Sequence, residues 1–305
     1  MKKESDIFDR IRGALYGVAV SDALGGPVEF LRAKDIQALY GAITEMEGGG
    51  WLDLEPGEVT DDTQMTIAVA RGILEAPDDP VPAIGQNFIE WYNSAPKDIG
   101  MTCALAIRAA KELGASSRAD WLKAGLEAHR TMNGKSGGNG ALMRTIYPAL
   151  YYTDPKELDK NVADISSMTH FSVENALICK EYCHAVRSAI LGRNPIHTIS
   201  LGIFYEPDAD PTGYIINTWS NVIDSIFGAA NFENSVIAAV NRGGDADTIG
   251  AITGGLAGAY YGYKSIPQRW LDFLDPDLKS ELDQLAEAAY QANEKYYSTA
   301  FETAI

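Results

Sequence analysis

Cysteine is scarce: the 305 residues hold only Cys103, Cys179 and Cys183. Three thiols build no disulfide framework and suit a reducing cytosol, so a cytoplasmic location is expected. Cys179 and Cys183 lie one helical turn apart with His184 beside them, but a zinc site normally needs four ligands, so they read as buried thiols on a helix face. Positive charge is scarce too, with 25 Lys and Arg against 42 Asp and Glu and a net charge of −17. Phosphate backbones and anionic lipid surfaces demand Lys/Arg patches, so neither nucleic acid nor a membrane is expected as a partner. Long apolar runs are missing as well. The N-terminal MKKESDIFDRIRG has no apolar signal core. The small-residue run from Ile249 to Tyr263 is too short to cross a bilayer. There is no tandem repeat, no low-complexity segment and no convincing linker; the acidic, proline-bearing Glu206–Pro211 reads as a loop.

What is present is helical period. Phe8, Ile11, Leu15 and Val18 recur at three- and four-residue steps and predict a first helix that runs through Ser21-Asp22-Ala23-Leu24-Gly25 and breaks at Gly26-Pro27. Glu29 and Phe30 follow in the loop. A short helix near Lys34 to Leu39 leads to the turn Gly48-Gly49-Gly50-Trp51, and Val59 to Ile67 opens the next helix with acids in its first turn, as the helix dipole prefers. Further helices are expected over Pro82–Trp91, Thr102–Leu113, Ala119–His129, Ala141–Tyr151, Val173–Leu191, Thr212–Phe227, Phe232–Asn241 and Leu278–Tyr297. Asp154-Pro155-Lys156-Glu157 carries a cap, a first-turn proline and a Glu at the third helical position, a helix start. No run of alternating β-branched residues competes. The expectation is one all-α, multi-helix domain over residues 1–305.

The stretch from Asn241 to Gly262 is the centre of this pattern. Its first half sets Asp245, Asp247 and Thr248 where a loop turns into a helix; its second half is almost entirely Gly, Ala and short apolar residues. Gly254, Gly258 and Gly262 make a small-xxx-small spacing that lets a neighbouring helix approach closely. Thr60-Asp61-Asp62 repeats the acidic device almost two hundred residues earlier. An isolated Asp at such a place usually caps its own helix. Two alike clusters offer hard oxygens suited to one or two Mg²⁺ or Mn²⁺ ions. Ser136-Gly137-Gly138-Asn139-Gly140, leading into a helix, exposes backbone N–H groups of the kind that cradle phosphate, although the same string also makes common turns. Asp98, in Lys97-Asp98-Ile99-Gly100, would by itself be an ordinary cap. His170 could donate to a phosphate. Tyr214 and Trp219 could stack on a base, with core packing the plainer role for each.

Ser21-Asp22-Ala23-Leu24-Gly25 with Glu29-Phe30, Val59-Thr60-Asp61-Asp62-Thr63-Gln64-Met65, Asp98-Ile99-Gly100, Gly138-Asn139-Gly140-Ala141-Leu142-Met143-Arg144, Thr169-His170 and Arg242-Gly243-Gly244-Asp245-Ala246-Asp247-Thr248-Ile249-Gly250 occur in that order. Together they resemble the ADP-ribosylglycohydrolase family, over about residues 10 to 262. The paired acidic motifs are the specific part of the likeness. Ser21 departs from the glycine more usual there, but it sits beside Asp22 and not at a ligand.

The resemblance implies an all-helical fold with two Mg²⁺ or Mn²⁺ ions at the base of a cleft. It implies Thr60, Asp61, Asp62, Asp245, Asp247 and Thr248 as ligands, with Asp247 bridging both ions. It places Glu29 near the scissile bond as the acid–base group, with Asp61 and Asp247 essential to the chemistry. Asp98 and Gly100 match the loop that touches the terminal ribose; Ser136, Gly137, Gly138, Asn139 and His170 match the region that holds the diphosphate; Tyr214 is the adenine-stacking candidate. The implied reaction is hydrolysis of ADP-ribose from a modified protein or a related conjugate. Arginine, serine, an acetyl ester or a nucleobase would each serve as leaving group, and family analogy favours arginine. An ADP-ribose-binding module without chemistry and a dinuclear phosphatase or pyrophosphatase are the competing readings.

Overall fold

The computed structural model describes residues 2–200 and 203–300. Fourteen α-helices and four short 3-10 turns account for the regular structure among them, and extended pairing is limited to isolated bridges. In chain order they are α1 (Lys2–Gly25), α2 (Ala33–Tyr40), α3 (Asp61–Glu75), α4 (Val81–Asn93), α5 (Met101–Leu113), α6 (Arg118–Thr131), α7 (Ile146–Tyr151), α8 (Pro155–Ser167), α9 (Val173–Ile190), α10 (Ile215–Phe227), α11 (Phe232–Val240), α12 (Ala246–Tyr261), α13 (Gln268–Leu271) and α14 (Pro276–Ala300). Among the described residues no helix is long and apolar enough to cross a membrane.

Helix α12 is the axis. Every residue from Ala246 to Ala259 is buried, and α1, α9, α10 and α11 pack around it, α1 most extensively. The small residues explain why α1 lies so close. A Cβ on Gly17 would overlap the Gly254 carbonyl, and one on Gly258 would overlap the Gly13 carbonyl. The expected spacing therefore works through Gly254 and Gly258, whereas Gly262 ends the helix at φ 86°. Ile249, Ile252 and Leu256 fill the remaining faces of α12, each contributing roughly 1.5–3 kcal/mol by full burial. On its other side α1 meets α14, where Arg12 Nε donates to Asp283 Oδ1 at 2.6 Å and the Arg12 guanidinium lies 3.8 Å from the Tyr263 ring centroid. Helices α3 and α4, α5 and α6, and α8 and α9 form further packed pairs.

The start signals act as expected. Asp154 accepts from the N–H groups of Lys156 and Glu157, both at 2.9 Å, and Ser117 with Asp120 forms a full capping box for α6. Two expectations need correction. The helix expected over Ala141–Tyr151 is a single 3-10 turn at Asn139–Ala141 followed by α7, which begins only at Ile146. Arg144 lies in the break and turns its side chain fully inward, and Pro148, lacking an N–H, fits only the first turn of a new helix. The helix expected from Thr212 starts at Ile215, so Tyr214 is its N-cap and not a helical residue. Trp219 is wholly buried against Tyr182 with ring centroids 6.0 Å apart, which settles its role as core.

Candidate active site

The two acidic corners meet because the loop that leaves α1 is bonded to the loop that enters α12. Phe30 N–H donates to the Gly244 carbonyl at 2.6 Å, and Gly244 N–H donates back to the Leu31 carbonyl at 2.7 Å. Gly243 and Gly244 make this possible with φ of 72° and 65°, a left-handed pair that side chains rarely adopt. At the end of α1 the approach is tighter still: a Cβ on Gly25 would lie 2.5 Å from Asp247 Cα.

The start of α3 is held from α1. Asp22, wholly buried, accepts from the Thr60 N–H at 3.1 Å and hydroxyl at 2.8 Å, and from the Thr63 N–H at 3.1 Å and hydroxyl at 2.5 Å. It therefore caps a helix that belongs to another part of the chain. Burial still pushes its carboxyl up to about 6. The hydrogen bonds to Thr60 and Thr63 limit that rise.

Across the junction Thr248 Oγ1 donates to Asp62 Oδ2 at 3.2 Å. Asp61, Asp62, Asp247 and Thr248 are buried, and Asp98 and Asp245 half-buried. Desolvation, followed by mutual repulsion, holds the carboxyls of Asp61, Asp62 and Asp247 well above their ordinary range. Glu29, Asp98 and Asp247 each bring one oxygen within 4.8 Å of the others. Asp62 Oδ1 is buried and has no hydrogen-bond partner. A set of buried oxygen donors that repel one another, with one left unsatisfied, fits a hard divalent cation and no softer metal.

Over these acids lies a cleft of about 410 Å³, whose lining includes Glu29, Phe30 and Trp51 together with Gly138, Asn139, Gly140 and His170. Asp61, Asp98, Gly100, Asp245 and Thr248 also face it, while Thr60, Asp62 and Asp247 lie beneath. Trp51 Nε1 donates to Glu29 Oε2 at 2.7 Å. Burial, together with the charges of Asp98, Asp245 and Asp22, pushes Glu29 up to about 8 despite that bond.

The glycine loop is braced from several sides. Asn139 N–H donates to the Gly213 carbonyl at 2.9 Å, and Asn139 Nδ2 donates to Thr218 Oγ1 at 2.9 Å and Asp245 Oδ2 at 2.6 Å. Asn175 Nδ2 holds the Gly138 carbonyl at 2.6 Å. Buried Arg144 donates to Thr169 Oγ1 at 2.8 Å, and Thr169 Oγ1 lies 2.8 Å from His170 Nδ1. Burial and then the Arg144 charge push His170 down to about 3, so the ring is neutral at neutral pH. Its Nε2 edge is toward the loop, where a Cβ on Gly138 would come within 3.3 Å. Ser136 and Gly137 lie outside the cleft lining. The Ser136 hydroxyl is 2.6 Å from His129 Nδ1, and Gly137 accepts from Ile215 N–H at 3.0 Å. Tyr214 stands 46% exposed beside Gly137, short of the lining itself.

The sequence model of the ADP-ribosylglycohydrolase family matches residues 3–299. The chain belongs to that family. It is similar to the ADP-ribosyl-[dinitrogen reductase] glycohydrolase of Rhodospirillum rubrum, 34% identical over 92% of this chain and 96% of that protein. It is 29% identical to the ADP-ribosylarginine hydrolase Tri1 of Serratia proteamaculans, over 89% of this chain and 76% of that one. Among solved structures, an ADP-ribosylglycohydrolase-related protein complex superposes with a TM-score of 0.80 at 31% identity, over 94% of this chain and 99% of its own. As an ADP-ribosylglycohydrolase the protein is a hydrolase of glycosidic bonds that removes ADP-ribose.

Three residues of this ADP-ribosylglycohydrolase site carry no functional signal in the sequence alone. Asp22 and Arg144 stand inside recognised motifs, but only the fold reveals that one caps α3 and the other props the glycine loop. Trp51 reads as the end of a glycine turn until its indole N–H is found on Glu29.

Proposed function

We propose that the protein hydrolyses the N-glycosidic bond between ADP-ribose and an arginine side chain of a modified protein, using two divalent cations, Mg²⁺ or Mn²⁺. The cations would be held by Thr60, Asp61, Asp62, Asp245, Asp247 and Thr248, with Asp247 placed to serve both. When bound they would offset the acidic charge, orient the ribose hydroxyls and polarise the attacking water. Residues 1–305 act here as one domain, since the ligand set joins α3 to α12.

Glu29 is the proton-transfer group, in the cleft where the scissile bond would lie. A carboxyl poised near neutrality and fixed by an indole N–H suits that task. Asp98 and Gly100 receive the ribose. The amides of Gly138 and Gly140 and the neutral His170 hold the diphosphate, while the Asn139 amide braces the loop on the Gly213 carbonyl, with Thr169 directing its hydroxyl proton to Nδ1 so that Nε2 keeps the ring hydrogen. Fixing the phosphates away from the reacting carbon supplies orientation. The arginine linkage rests on the likeness to proteins named for it, the Serratia ADP-ribosylarginine hydrolase among them.

The observation that carries this reading is the contact of Thr248 with Asp62, which unites both acidic corners under the cleft. Incubation with arginine-ADP-ribosylated protein and Mg²⁺ or Mn²⁺ should release free ADP-ribose, and a chelator should stop it. Release of AMP or phosphate would instead indicate P–O cleavage. Glu29→Gln should keep cation binding and slow single-turnover hydrolysis about 100-fold or more; an unchanged rate would remove Glu29 from the chemistry.

A further inference from the structure

Two aromatic side chains beside Glu29 present ring faces that the reading so far leaves unused. Phe30 is 66% exposed and Trp51 is 55% exposed, although both line the cleft. Their rings lie 5.7 Å apart at 38°. Phe30 also adopts φ 64°, a conformation in which a bulky side chain is a genuine outlier. The backbone is pinned there by the bond from Phe30 N–H to the Gly244 carbonyl. Strain of this kind persists where surrounding structure over-determines it, often at ligand-binding sites. Trp51 is fixed too, since its indole edge is bound to Glu29. A Cβ on Gly50 would come within 2.8 Å of the Pro27 carbonyl oxygen, so the glycine turn presses the Trp51 segment onto the 3-10 turn at Gly26–Val28 that follows α1.

We propose that Phe30 and Trp51 form the leaving-group subsite and select a planar, cationic group, the guanidinium of arginine. The inference rests on the hydrolase reading above. With the diphosphate on the Gly138 and Gly140 amides, the adenine would lie toward Tyr214, which stands beside Gly137. The group attached to the reacting ribose then emerges on the Phe30 and Trp51 side. A guanidinium stacks on aromatic faces, and Trp is the best of them. A serine hydroxyl offers neither charge nor plane, so the pair would give it no such preference.

The test compares wild type, Phe30→Leu and Phe30→Tyr as metal-loaded full-length enzymes on arginine-linked and serine-linked ADP-ribose. Leu carries the same backbone strain as Phe and adds no polar group. In Phe30→Leu the ratio of kcat/KM for the arginine-linked over the serine-linked conjugate should fall roughly tenfold. Phe30→Tyr should restore that ratio, and calorimetric affinity for free ADP-ribose should persist in both. An unaltered ratio, or loss of ADP-ribose affinity together with both activities, would overturn the subsite. Wild-type cleavage of the serine conjugate alone would overturn it too, while leaving the hydrolase reading intact. A wild type inert on both conjugates would instead bring down the proposed function.

Discussion

Thr248 Oγ1 donates to Asp62 Oδ2 at 3.2 Å, bridging 186 residues of sequence. The bond ties the first turn of α12 to the first turn of α3 and leaves Asp62 Oδ1 buried without a partner. Carboxylates forced together in this way repel unless a proton or a cation intervenes. The corner is thus stable in company and costly alone.

Cation binding should depend on those acids. Asp62→Asn and Asp247→Asn are expected to weaken Mn²⁺ affinity at least ~100-fold and to abolish most turnover, while the far-ultraviolet helical signal remains. Calorimetric titration of each variant decides it, and undiminished affinity would retire the ligand assignment.

The pH response follows from the raised carboxyls. Glu29 has an ordinary value of 4.5 and stands at about 8 in the folded chain. A carboxyl raised on folding binds its proton more tightly in the native state. Its contribution is full below the ordinary value and is lost as pH climbs through the folded one. Asp61, Asp62 and Asp247 act in the same direction. In chelator, the melting temperature should therefore fall between about pH 5 and pH 8, and saturating Mg²⁺ or Mn²⁺ should flatten the slope. A chelated protein that grows more stable across this window would contradict the geometry.

Asp22 should matter for stability before chemistry. Asp22→Ala leaves the buried N–H groups of Thr60 and Thr63 without their acceptor, which costs roughly 2–3 kcal/mol. Urea denaturation would show it, with weaker Mn²⁺ binding as the second effect because Thr60 and Asp61 lose their anchor.

The glycine seam between α1 and α12 is equally specific. Gly258→Ala puts a methyl group into the Gly13 carbonyl, so the helices must separate; overpacking of this kind costs about 1–3 kcal/mol. Because α12 carries Asp247 and Thr248, cation affinity should fall along with the melting temperature. Independence of the two measurements would mean that the seam does not position the site.

Much of this was legible in the chain. The 3.6-residue period placed α1, α9 and α14, because each buries a broad apolar face, and the run of small apolar residues placed α12. The break around Arg144 was not legible. Its apolar neighbours keep a helical pattern, while the buried guanidinium takes partners from α5, α8 and the Thr169 turn, contacts that no local pattern encodes. Tyr214 moved from helix to cap for a similar reason, since bonds to the Gly137 segment hold the chain extended just before α10.

The sequence by itself determined the helical class, the acidic corners and the order of motifs, since periodicity, capping and motif spacing are properties of neighbouring residues. Only the tertiary structure decided that Asp62 meets Thr248, that Asp22 caps a distant helix and that Trp51 grips Glu29. Those pairings depend on how closely α12 can lie against α1, and that closeness is set by glycines on both helices acting together.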